Sequence, residues 1–123
     1  MSHTKTLRLF GLAVLALLLA APAHAAEMSV FMKNAHARAV VVELRSQTRA
    51  TVWPGDDQVY LLESGEKKSV PVVCEAGETI CYAAWAYGDD RIFWGVGPDN
   101  SRRCDDCCFT CTAKGTGTID LAP

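Results

Sequence analysis

"TICYAAWAYGDDRIFWGVG", residues 79–97, decides how this chain folds. Thr79–Tyr87 is rich in β-branched and aromatic residues, Gly88–Asp90 supplies turn formers, and Arg91–Gly97 returns to strand composition. Two such runs around a Gly-Asp turn read as neighbouring strands. Alternation places Trp85 and Tyr87 on one face and Tyr82 on the other.

The same pattern extends in both directions. Met28–Asn34, Arg38–Gln47, Gln58–Ser64, Lys67–Cys74 and Gly117–Ala122 are short apolar runs bounded by Gly, Asp or Pro. In the second of them Val40, Val42 and Leu44 share a face opposite Glu43 and Arg45. Pro71 marks its run as an edge strand or a bulge, because proline donates no ladder hydrogen bond. No segment carries a helical stripe. About seven short strands at this spacing predict an all-β fold, a small antiparallel β-sandwich.

The N-terminus reads as an export signal. Lys5 and Arg8 precede an apolar run from Leu9 to Ala21, and Ala23-His24-Ala25 is a small-x-small cleavage site. The run is too short for a spanning helix and is broken by Pro22. Residues 1–25 are therefore expected to be a cleaved signal peptide and residues 26–123 a single domain, periplasmic or secreted from a bacterium, with no membrane insertion after cleavage. Loss of Lys5 and Arg8 leaves 10 basic against 14 acidic residues, net −4. With no basic patch denser than Ser101–Arg103, nucleic acid is excluded as a partner class.

All six cysteines, Cys74, Cys81, Cys104, Cys107, Cys108 and Cys111, lie in the expected mature chain. An even count in a small exported domain predicts disulfides. Zinc hooks are usually separated by a dozen or more residues, whereas the two Cys-x-x-Cys hooks of "CDDCCFTC" (104–111) abut. A redox dithiol would open a helix in a βαβ unit, and none is present. Only Cys74 and Cys81 lie outside the cluster, so full pairing requires at least one bridge within residues 104–111. Cys74–Cys81 is one further expected pair, if Gly77-Glu78 turns a hairpin that brings the two face to face.

Catalytic constellations are absent from the sequence. His36 has no partner nearby and reads as a solvated loop histidine. The acidic pairs Asp56/Asp57, Asp89/Asp90 and Asp105/Asp106 all fall in turns, where Asp serves local hydrogen bonding. No enzyme activity, metal or cofactor is expected. The aromatics most simply fill a core; the alternative is a platform formed by Trp53, Trp85, Tyr87 and Trp94, with Trp53 on the turn "WPGDDQ" the most exposed.

Across residues 52–111, "VWPGDDQVYLL", "CEAGETICYAAW", "FWGVG" and "CDDCCFTC" resemble a family of small exported bacterial Cys-rich proteins. That family shows Trp-Pro-Gly, Gly-Glu-x-Ile-Cys-Tyr-x-Ala-Trp, Trp-Gly-x-Gly and Cys-x-x-Cys-Cys-x-x-Cys. Ala83 stands where its pattern has Gly. The resemblance implies the domain boundaries and the exported address, and it carries no activity or site. The leading expectation is a non-catalytic binding module for a protein or glycan in the envelope or medium. The alternative is a disulfide-rich inhibitor of a periplasmic or host enzyme, and a metal-binding or redox protein is third.

Overall fold

A computed structural model describes residues 24–123; the expected signal segment lies outside them except for His24 and Ala25. The chain forms β1 (Ala25–Asn34), β2 (Val40–Ser46), β3 (Val52–Trp53), β4 (Tyr60–Leu62), β5 (Lys67–Glu75), β6 (Thr79–Ala86), β7 (Asp89–Gly95), β8 (Cys108–Thr110) and β9 (Thr116–Leu121). The seven expected strands are all present, and β3 and β8 are additional short ones. Two sheets pack face to face as a disulfide-linked all-β sandwich. The smaller has the order β5-β1-β9, and the larger β3-β2-β6-β7, with β4 also on β2 and β8 also on β6.

Alternation builds the core. Met28, Val30 and Met32 of β1, Val72 of β5, and Ile119 and Leu121 of β9 meet Val40, Val42, Leu44, Leu62, Ile80 and Ala84 of the larger sheet. Most of these side chains are fully buried, and each large one contributes about 1.5–3 kcal/mol of burial. On β6 the outward residues Cys81 and Ala83 form a second cluster with Val96 and Cys107, half-covering Trp85.

Pro71 lies on an edge, as expected, since β5 pairs only with β1. Its neighbour two residues on, Val73, turns its carbonyl to the free edge, where Trp53 Nε1 donates to it. Residues two apart in an antiparallel strand direct their backbone groups to the same side. The N–H that proline lacks therefore falls where no ladder bond is needed.

Three features depart from the expected pattern. First, β9 runs parallel to β1, from Ser29 opposite Thr116 to Asn34 opposite Leu121. It enters the smaller sheet by a crossover from β8 in the larger one, which sets its direction. Second, the Cys74–Cys81 hairpin does not form. The Glu75–Glu78 turn carries the chain from β5 in one sheet to β6 in the other, so the two cysteines belong to different sheets. Third, the β6–β7 turn is Tyr87-Gly88 and not Gly88–Asp90, because the register shifts at Trp85/Ala86 and Asp89 pairs with Ala86.

Two buried polar residues hold the connections. Asn34 is fully buried; its amide donates to the carbonyls of Arg38, Leu62 and Glu63, and its Oδ1 accepts from His36 N–H at 2.8 Å. Glu78, 3% exposed, accepts from Arg49 Nε at 2.6 Å, from the Glu75 N–H at 2.9 Å and from the Ser46 hydroxyl. The Arg49 guanidinium, with help from the Glu75 N–H and Ser46, holds the Glu78 carboxyl at about 2, against the opposing pull of burial.

Candidate binding surface

Both flanks of the larger sheet are interrupted strands. β3 and β4 lie in succession along the free side of β2, separated by the loop 54–59. Along the far side of β6, β7 and β8 are separated by residues 96–107. This second excursion leaves and returns around one residue: Val96 N–H donates to Tyr82 O at 2.9 Å, and Tyr82 N–H to Cys107 O at 3.0 Å. Gly95 begins it with φ 73°, and a Cβ there would run into Tyr82 O.

The cysteines staple this region. Cys74–Cys111 joins the two sheets through the core, with Cα atoms 6.3 Å apart. Cys81–Cys108 is a cross-strand bridge of β6 and β8, 3.9 Å between Cα atoms. Cys104–Cys107 closes within the cluster, as the count of cysteines requires. The longer closed segments, spanning 37 and 27 residues, restrict the unfolded chain most. Cys104–Cys107, spanning three, acts locally. Among the described residues, no three His, Cys, Asp or Glu side chains converge on a common point.

The four tryptophan and tyrosine positions read as a platform do not lie together. Trp53 on β3 is half-buried against the core, its Nε1 donating to Val73 O at 3.0 Å, and Arg49 lies 5.8 Å from its ring. Trp94 on β7 is also packed on the core, its Nε1 donating to Ala122 O at 2.9 Å. Each indole spans from the larger sheet to the smaller, one at each open seam of the sandwich. Trp53 is thus a seam residue, not an exposed turn residue. His36, expected in solvent, is half-buried with its ring edge-on to Trp94, centroids 5.2 Å apart.

Trp85 and Tyr87 remain on the outside. Trp85 faces outward in the row Leu61–Val41–Trp85–Phe93, whose members pair directly across β4, β2, β6 and β7. Leu61 is 39% and Phe93 37% exposed at the ends of the row, while between them Trp85 is half-buried and Val41 is buried, 4% exposed. Tyr87, on the adjacent turn, is 64% exposed. A solvated sheet face alternates to polar residues; this row is apolar from edge to edge.

Charges rim the row. A groove of about 560 Å³ beside Trp85 is lined by Arg38, Gly88, Asp89, Asp90 and Arg91. Arg91 grips Asp89 with two bonds, at 2.9 and 3.1 Å, while Arg38 lies 3.7 Å away. The Arg91 side chain, then its backbone N–H, hold the Asp89 carboxyl at about 2. Arg102 lies over the Phe93 ring at 4.9 Å, and Arg45 reaches Glu43 and, at 3.8 Å, Asp99. Leu61, Phe93, Arg91 and Arg102, and Val41 buried within the row, were not among the expected site residues. Their signal was apolar residues at outward positions of alternating strands, Val41 between Val40 and Val42 and Leu61 between Tyr60 and Leu62.

No family model matches this chain, and no curated protein or solved structure matches it. Its three disulfides fit an oxidising compartment, and among the described residues no helix is long and apolar enough to cross a membrane.

Proposed function

We propose that the protein is an exported, non-catalytic binding module whose contact surface is the outer face of the larger sheet. The carrying observation is the apolar row Leu61–Val41–Trp85–Phe93, whose ends Leu61 and Phe93 are exposed on a face where solvent would favour polar side chains. Arginines 38, 91 and 102 border it. Trp, Tyr and Arg around a partly exposed apolar centre are the residue types that dominate protein–protein contact energy. A protein partner fits this surface better than a glycan, because the row is rimmed by arginines, which are enriched in protein–protein contacts, and Arg102 already covers one face of Phe93. The signal-like N-terminus, the disulfides and the resemblance to exported bacterial Cys-rich proteins together support periplasm or medium as its location.

The test compares capture by wild-type protein with capture by Leu61→Ser/Phe93→Ser, using envelope extract and culture medium. Both residues are partly exposed, so the double variant retains its core. A protein bound by wild type and lost from the variant supports this reading. Equal capture by the variant, or retention on a glycan array alone, refutes it.

A further inference from the structure

The excursion 96–107 has a construction that the row of apolar residues does not explain. Arg102 is fastened twice: its N–H donates to Val96 O at 2.8 Å, and its guanidinium lies 4.9 Å over Phe93. Cys104 is fastened by Cys107, whose carbonyl accepts from Tyr82 N–H. Arg103 lies between these two anchors with its side chain 91% exposed, and its one ionic neighbour, Asp105, is 3.6 Å away and itself in water. A basic side chain is thus presented on backbone fixed on both sides within one residue.

The disulfide topology adds a second observation. Cys74–Cys111 and Cys81–Cys108 both join the chain before the excursion to the chain after it. Cutting the Arg103–Cys104 peptide bond would release no fragment. The new carboxyl end would stay tied through Arg102, and the new amine through Cys104–Cys107. Held ends react as though at very high local concentration, with effective molarities of about 10⁵ M or more for well-oriented groups.

From this geometry we infer that residues 101–105 are a substrate-like inhibitory loop for an arginine-specific serine peptidase, with Arg103 entering its acidic specificity pocket. The inference rests on the binding-module reading and names its partner class, since the loop borders the apolar row. The peptidase serine Oγ attacks the Arg103 carbonyl carbon, and its proton passes through the catalytic histidine to the Cys104 nitrogen as the C–N bond breaks. The Cys104 amine stays in place and attacks the ester carbonyl in return. The peptide bond re-forms, and the proton goes back to the serine. Hydrolysis of the ester gives a nicked protein that is still whole by its disulfides and reverts by the same path. Preorganised backbone on both sides of Arg103 lowers the ordering cost of binding.

Trypsin serves as the probe peptidase, titrated with the full oxidised chain and followed by hydrolysis of a small arginine substrate. The expected result is stoichiometric loss of trypsin activity, with mass spectrometry showing intact and Arg103–Cys104-nicked forms in a stable ratio approached from either one. Arg103→Ala weakens inhibition about a thousandfold or more, as for loss of a central charged anchor, whereas Arg103→Lys retains it. Arg103 is exposed, so both variants fold, and three intact bridges confirm this. Rapid complete cleavage with undiminished trypsin activity overturns the inference, as does inhibition indifferent to Arg103→Ala. If trypsin is not inhibited but a captured protein is still lost from Leu61→Ser/Phe93→Ser, the inhibitor assignment falls while the contact face stands.

Discussion

The indole Nε1 of Trp53 donates to the Val73 carbonyl at 3.0 Å, across the gap between the two sheets. The pairing makes Trp53 a closing piece of the sandwich. Trp53→Phe keeps the apolar ring and loses the bond, leaving an edge carbonyl that water can reach. We predict a loss of about 1 kcal/mol for it. Trp53→Ala removes the half-buried ring as well and costs about 2–3 kcal/mol, less than the 3–5 of a fully buried aromatic. Urea unfolding of the oxidised protein measures both.

Acid unfolding should report Glu78. Its carboxyl titrates near 2 in the folded protein against an ordinary value of 4.5. Because the folded value is the lower one, the stabilisation is fully present above about pH 5. It is lost as pH falls from there towards 2, on the order of 3 kcal/mol in total. Glu78→Gln keeps the side-chain shape but loses the charge that Arg49 and Ser46 bond. Its stability should be lower at pH 7 and flatter between pH 5 and 2, measured by urea midpoints across that range.

Gly95 starts the excursion at φ 73°, where a Cβ would strike Tyr82 O. Gly95→Ala therefore carries both backbone strain and a clash with main chain that cannot swing away. A loss of at least about 2 kcal/mol is expected. Gly88→Ala, also at positive φ but with open space around it, should lose only about 1 kcal/mol. Thermal unfolding of the two variants separates the clash from the strain.

Reductive dissection should rank the bridges by the segments they close. Removing Cys74–Cys111 as a double Ala variant costs about 2–5 kcal/mol, since it spans 37 residues and ties the sheets through the core. Removing Cys104–Cys107 leaves global stability within about 1–2 kcal/mol. It speeds amide exchange in residues 98–106 only. Denaturant midpoints and hydrogen exchange on the two variants provide the comparison.

Strand existence and facing were legible because one face of each strand is buried, and burial writes itself into alternation at Val40, Val42 and Leu44. Pro71 likewise announced an edge through its missing donor. Sheet membership was not legible at Glu75–Glu78: a four-residue turn that closes a hairpin and one that changes sheets share the same Gly and Glu residues. The Cys74–Cys81 expectation failed on that point. The continuation of β7 as β8 was hidden because the excursion between them interrupts the alternation. Nor does alternation tell an outer face from a seam, so Trp53 and Trp94 read like Trp85 until the strand order separated them. The outward row was present in the sequence as Val41 and Leu61, whose apolar neighbours masked them.

The central claim is that recognition uses the outer face of the larger sheet and not the seam tryptophans. It is tested most directly by titrating the captured partner against wild type, Phe93→Ser and Trp53→Phe under identical conditions. The account predicts that Phe93→Ser weakens binding at least about tenfold, while Trp53→Phe binds as wild type despite its lower stability. Full affinity in Phe93→Ser, with loss confined to Trp53→Phe, would contradict it.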